Sequence, residues 1–138
     1  MKRTYLKRES KSERSKLIKK CDDIFRKIIR LRDNMTCQRT GKKDNLQVAH
    51  FFTRSILSLR WDEENACLLQ RGIHYYWAHV KHEEFRDFWI SRIGKERFEM
   101  LKIKSRFIMT LPTYQLKNIK LALEMRLKEL CKKENEKL

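Results

Sequence analysis

Between Leu17 and Leu31 the apolar residues Leu17, Cys21, Ile24, Ile28 and Leu31 recur at steps of four, three, four and three. That period lines one face of an α-helix, and Lys and Arg fill most of the opposite side. Asp33-Asn34 follows as a turn signal that ends the helix. Residues 37–45, CQRTGKKDN, read as a tight turn in which Gly41 takes a positive φ. Leu46 to Phe52 is rich in β-formers and bounded by turn residues, which predicts a strand. Residues 53–61 read as a loop, and Asn65 to Gln70 as a second short strand or its equivalent. Gly72 breaks the chain; helical character then runs from His74 to Ile90 and is interrupted or ends near Gly94. Lys95 to Ile103 is a further short helix. The last helix starts at Pro112-Thr113, with Leu116, Ile119, Leu123, Leu127 and Leu130 as its apolar face. Its lysine-rich end suits a helix C-terminus.

These elements define an α+β, mostly helical chain. A small ββα centre stands between a long N-terminal helix and C-terminal helices. With 138 residues, one domain is favoured: a basic arm over 1–16, a core over 17–104 and a C-terminal helix over 112–138. Three Gly and one Pro leave little room for a loop-rich sandwich or barrel.

Charge changes the picture more than size does. The chain carries 34 Lys and Arg against 18 Asp and Glu, a formal net charge of +16. An excess of that size calls for a polyanionic partner, and nucleic acid is the usual one. An acidic membrane surface is disfavoured, because no amphipathic segment presents a clean aromatic or apolar face. No run approaches the roughly 18–20 apolar residues of a membrane span, and no apolar signal core stands near the N-terminus. The four cysteines, Cys21, Cys37, Cys67 and Cys131, form no CxxC pair. Reduced thiols in a cytoplasm are therefore expected, with Cys21 and Cys131 as packing residues. Residues 1–20 hold nine Lys/Arg and two Glu, and read either as a solvated charge run or as a DNA-contacting arm.

Candidate chemistry starts with His50, which interrupts the apolar run LQVAHFF. Asn65 lies 15 residues later and His74 nine beyond that, in the text NACLLQRGIH. A strand histidine, an asparagine opening a second strand and a histidine opening a helix form the ordered set of HNH, or ββα-metal, nucleases. The wider text CDDIFRKIIRLRD, C..TG, QVAHFFTRSILSLRWDEENACLLQ and RIGKERFEML resembles the phage NinG (Rap) recombination nuclease family, over roughly residues 21–101.

That resemblance implies a metal-dependent DNA endonuclease of HNH type, phage-derived and acting on branched or recombining DNA in the cytoplasm of a host cell. It makes His50 the general base, Asn65 the residue holding the loop that orients it, and His74 a ligand for one divalent cation, Mg²⁺ or Mn²⁺. His79 is the candidate second ligand, with His82 and Asp62 weaker. Arg54, Arg60, Lys42 and Lys43 are candidate DNA contacts. Trp61 and Trp77 read as core residues. The family's two CxxC pairs stand here as Cys37…Thr40 and Gln70…Ile73, so three of four thiolates are missing and no structural zinc is expected. Packing, with Ile73 as the candidate, must then hold the knuckle. Ala49 stands where many HNH enzymes carry a ligating Asp. A non-catalytic DNA-binding protein on a degenerate HNH scaffold is the alternative. No membrane partner is implied; a homodimer is left open, since cutting a junction takes two cuts.

Overall fold

The structure, a computed structural model, describes residues 2–137, with side chains from Glu13 onward. Its elements are α1 (Lys2–Arg32), β1 (Leu46–His50), β2 (Ala66–Gln70), α2 (Arg71–His79), α3 (His82–Ile93), α4 (Lys95–Lys104) and α5 (Thr113–Glu136). The chain is α+β and mostly helical, with one two-stranded antiparallel sheet among the described residues. It divides into two compact units: residues 1–28 with 110–138, and residues 29–109.

In the first unit, the backbone of the basic N-terminal stretch is helical from Lys2. The side chains of residues 1–12, twelve of the twenty residues in the proposed DNA-contacting stretch, lie outside the described residues. The buried face of α1 is Leu17, Cys21, Phe25, Ile28 and Ile29, while Ile24 and Leu31 are only half-buried. Phe25 and Ile29 therefore correct the predicted stripe, which ran through their neighbours. A stripe more than one residue wide is normal for a helix that buries a broad face. Leu116 and Leu123 carry the burial on α5; Ile119, Leu127 and Leu130 of its predicted face are intermediate. The two helices meet where the Arg14 guanidinium donates to the Leu111 carbonyl and the Cys21 thiol reaches the Leu116 carbonyl at 3.9 Å. Cys131 is exposed, so it is not the packing residue its neighbours suggested.

In the second unit, β1 and β2 pair in the register Leu46↔Gln70, Val48↔Leu68 and His50↔Ala66. Asn65 precedes β2 in a single 3₁₀ turn, Glu63–Asn65, rather than opening the strand. The chain leaves β2 directly into α2. Gly72, expected to break the chain, sits inside the first turn of α2, where backbone N–H groups need no intrahelical acceptor. The predicted helix from His74 to Ile90 is two helices, with Val80 and Lys81 between them. The break lets two aromatic faces reach one core. Trp77 of α2 stacks on Phe85 and Phe88 of α3, with ring centroids 5.4 and 4.8 Å apart. Phe51, Trp89 and Phe98 complete a cluster that also contains Ala49, Leu59, Cys67 and Leu69. Edge-to-face and offset contacts at these spacings suit aromatic quadrupoles. Gly94 passes the chain from α3 to α4 at φ 90°, a conformation that favours glycine.

Candidate functional site

The hairpin is anchored from the end of α1. Asp33, 5% exposed, accepts two bonds from Arg32, one from Arg92 at 3.2 Å, and the Leu68 backbone N–H at 2.8 Å. Arg32 reaches on to the Glu63 and Ala66 carbonyls at 2.5 and 2.6 Å. A carboxylate removed from water requires such company. Asp33, read from sequence as a turn residue, is thus the node that fixes β2 to the helix end. The two arginines needed to satisfy it lie one and 59 residues away, and the second was not legible locally.

His50 ends β1. Its Nε2 lies 3.0 Å from the Arg60 carbonyl oxygen. A carbonyl only accepts, so Nε2 carries the proton and, in the neutral ring, Nδ1 carries the lone pair. The loop between the strands is held by Asn65, which is fully buried. Its Oδ1 accepts the Phe52 N–H at 2.9 Å; its Nδ2 donates to the Phe52 and Leu59 carbonyls at 3.0 and 3.1 Å. One amide therefore closes the loop from both sides just after His50. Arg60 donates to the Arg54 carbonyl at 3.0 Å, and its guanidinium lies 5.8 Å from the Trp61 ring centroid. Arg54 is exposed, and Trp61 is half-buried beside this basic loop rather than in the core; Trp77 is in the core.

His74 stands in the second turn of α2, at the other end of the hairpin. Its Nδ1 lies 3.2 Å from Gln47 Oε1, which makes Nδ1 the donor and Nε2 the nitrogen with a lone pair. Burial, helped by the charge of His79, lowers its pKa below the ordinary histidine value. Gln47 and His50 are three residues apart on a regular strand, so they project to opposite faces. His50 and His74 are thus set by different partners at different ends. His79 is exposed and packs against Tyr75, centroids 4.7 Å apart, while His82 is exposed beside Phe51 at 5.4 Å. Asp62 is a cap: it accepts the Glu64 N–H at 2.9 Å and pairs with Lys104 at 3.5 Å. Among the described residues no group of three or more His, Cys, Asp or Glu is placed to hold a metal ion.

The four positions where the resembled family carries cysteine pairs come together through hydrogen bonds as well as packing. Gly41 takes φ 76° as predicted, and the turn closes through Cys37 N–H to Lys42 O at 2.8 Å. The Cys37 sulfur accepts the Gln70 N–H at 3.3 Å, and the Thr40 hydroxyl donates to Gln70 Oε1 at 2.7 Å. Hydrogen bonds across the knuckle thus join its two halves, and Ile73 packs against the core cluster that contains Cys37. Burial raises the Cys37 pKa, but bonds from Thr40, Gln70 and Arg39 outweigh it and leave the thiol below its ordinary value. Cys67 is pushed up to about 12 by burial and is inert as a nucleophile. Lys42 and Lys43 are exposed on the knuckle turn.

No family model, curated protein or solved structure gives a significant match to this chain. Among the described residues no helix is long and apolar enough to cross a membrane.

Proposed function

We propose that this chain is a metal-dependent DNA endonuclease of HNH type. The observation that carries the reading is the hydrogen bond from His50 to the Arg60 carbonyl. It assigns the basic nitrogen of a strand-end histidine to Nδ1, in a loop pinned by a buried asparagine. A neutral imidazole suits a general base near pH 7. In the proposed reaction Nδ1 takes a proton from water while the water oxygen forms a bond to phosphorus. The bond from phosphorus to the leaving sugar oxygen breaks, and that oxygen takes a proton from solvent. Arg54 and Arg60 lie on the same loop and are suited to the non-bridging phosphate oxygens.

His74 fits the role of ligand to a loosely held divalent cation. Its Nδ1–H is given to Gln47, which orients the ring and leaves Nε2 as donor atom. Its lowered pKa keeps it neutral. Imidazole is a softer donor than Mg²⁺ prefers, so His74, alone or with His79, would suit a borderline ion such as Mn²⁺ whose remaining ligands are water and DNA phosphate oxygens. A cation held there would supply positive charge to a DNA phosphate at the Gln70 end of the hairpin, away from the His50 end. Branched or recombining DNA is the substrate class that the family resemblance suggests, and a homodimer would provide its two cuts.

A second reading, DNA binding without cleavage, is favoured by one observation. Ala49, where many HNH enzymes have a ligating Asp, is fully buried in an apolar cluster. The deciding experiment is incubation with duplex, nicked and four-way DNA in Mg²⁺, in Mn²⁺ and in EDTA. Cleavage that requires the cation supports the nuclease. Binding without cleavage in any of the three gives the second reading its place. Binding that does not weaken with salt removes both, because each neutralised phosphate contributes about 0.9 to the log–log slope on duplex DNA.

A further inference from the structure

The first turns of α2 form one wall of a shallow pocket of about 690 Å³, lined by Asn45, Gln70, Arg71, Gly72, Ile73 and Tyr75. None of the residues given a role in the cleavage reading lines it. His74 lies between two that do, Ile73 and Tyr75.

The lining has a definite chemistry. Tyr75 is 66% exposed, with one side against the His79 ring at 4.7 Å, and Arg71, four residues earlier on the same helix, is exposed. The floor is rigid. The Arg71 N–H donates to the carbonyl of Asn45 at 2.8 Å, which ties this lining residue, at φ 51°, to the start of α2. Both ends of the Gln70 amide are committed, Oε1 to Thr40 and Nε2 to Asp44 at 3.1 Å, so Gln70 serves as wall. Gly72 has no atom within 4 Å of where a Cβ would stand, which keeps the approach open. The volume falls in the range of small-molecule pockets, larger than one base needs and too open to enclose a free metabolite.

We propose that this pocket receives one unpaired nucleobase of DNA. The base stacks on Tyr75, the Asn45 amide meets its edge, and Arg71 pairs with the flanking phosphate. An exposed aromatic beside a cation, on a chain of net charge +16, is the combination that binds single-stranded segments without needing base sequence. A fully paired duplex keeps its bases stacked and offers none to Tyr75. The inference rests on the DNA reading and names its substrate class: DNA carrying an unpaired nucleotide next to the cleavage site.

The test uses the full chain as its His50→Ala variant, without divalent cation, so that no substrate is cut. The probe is a duplex with a three-nucleotide single-stranded extension carrying 2-aminopurine, compared with the same duplex without the extension. The parent and its Tyr75→Phe derivative should quench the 2-aminopurine on binding, and both should prefer the extended DNA. Tyr75→Ala should lose the quenching and bind the extended DNA roughly fivefold to a hundredfold more weakly, the worth of one base–aromatic stack. Its affinity for the blunt duplex should stay unchanged, which also reports that it is folded. Equal quenching and equal preference in Tyr75→Ala would overturn the pocket. Blunt-duplex binding and cleavage by the unmodified chain test the nuclease reading separately, so the two can fail independently.

Discussion

The two ends of the β-hairpin each carry a histidine and an amide, and use them in opposite ways. At the Ala66 end, the His50 Nε2 and the Asn65 amide bond to backbone atoms, and Asn65 is fully buried. At the Gln70 end, His74, Gln47, Thr40 and Gln70 bond to one another's side chains and are half-buried or exposed. Backbone partners are already fixed by the fold, and a buried amide that lost them would have no water to turn to. Side-chain partners near solvent can rotate away at little cost. The first end is thus built for fixed geometry. The second tolerates adjustment, as a site that admits an ion or a base requires.

The largest expected effect is at His50. His50→Ala should reduce cation-dependent cleavage by roughly 10²–10⁴. Its thermal midpoint should hardly move, because His50 is not fully buried and water can take over the Arg60 carbonyl. Cleavage at the unmodified rate under saturating cation would end the assignment of His50 as base.

Asn65→Ala should be next, and should act on stability as well as rate. It leaves the part-buried Phe52 N–H and carbonyl without their partner, while the Leu59 carbonyl keeps the Asp62 N–H. At roughly 1–3 kcal/mol for an unsatisfied buried group, a loss of about 3 kcal/mol is expected. That corresponds to a fall in Tm on the order of 10 °C for a chain of this size. A Tm within about 2 °C of the parent would show that the loop closes by other means, and would erase the contrast between the two ends.

Gln47→Ala should be milder and confined to the cation. Removing the acceptor that orients a ligating histidine typically costs about 10–100-fold in metal affinity. The Mn²⁺ concentration giving half-maximal cleavage should therefore rise by that factor, while the rate at saturation recovers. A loss of maximal rate with no change in cation requirement would detach Gln47, and with it His74, from the metal.

The smallest effect is in the acid limb of stability. Burial and then the charge of His79 depress the His74 pKa below 6.5, so the folded protein takes up that proton at lower pH than the unfolded chain does. Stability linked to His74 is therefore present above pH 6.5 and is lost as pH falls through the depressed value. His74→Gln should flatten the decline of Tm with acid below that point. Two superimposable acid limbs would place His74 in solvent.

Much of this was legible along the chain. The hairpin strands, the Gly41 turn and the start of α5 follow from local periodicity and turn chemistry, which act within a few residues. The placement of His50 on the first strand and His74 near the start of a helix was equally readable, whereas Asn65, expected to open the second strand, stands in the 3₁₀ turn before it. Contacts across long stretches of sequence were decided only by the tertiary structure. The Arg92 side chain that completes the Asp33 cluster, the Thr40–Gln70 bond across the knuckle and the split of α2 from α3 at Val80 all depend on which surfaces are buried together. A charge pattern records that Asp33 is acidic; it does not record that the carboxylate is cut off from water and must recruit two guanidinium groups. Local sequence sets the available shapes of each segment, whereas the cost of desolvating polar groups selects how they join.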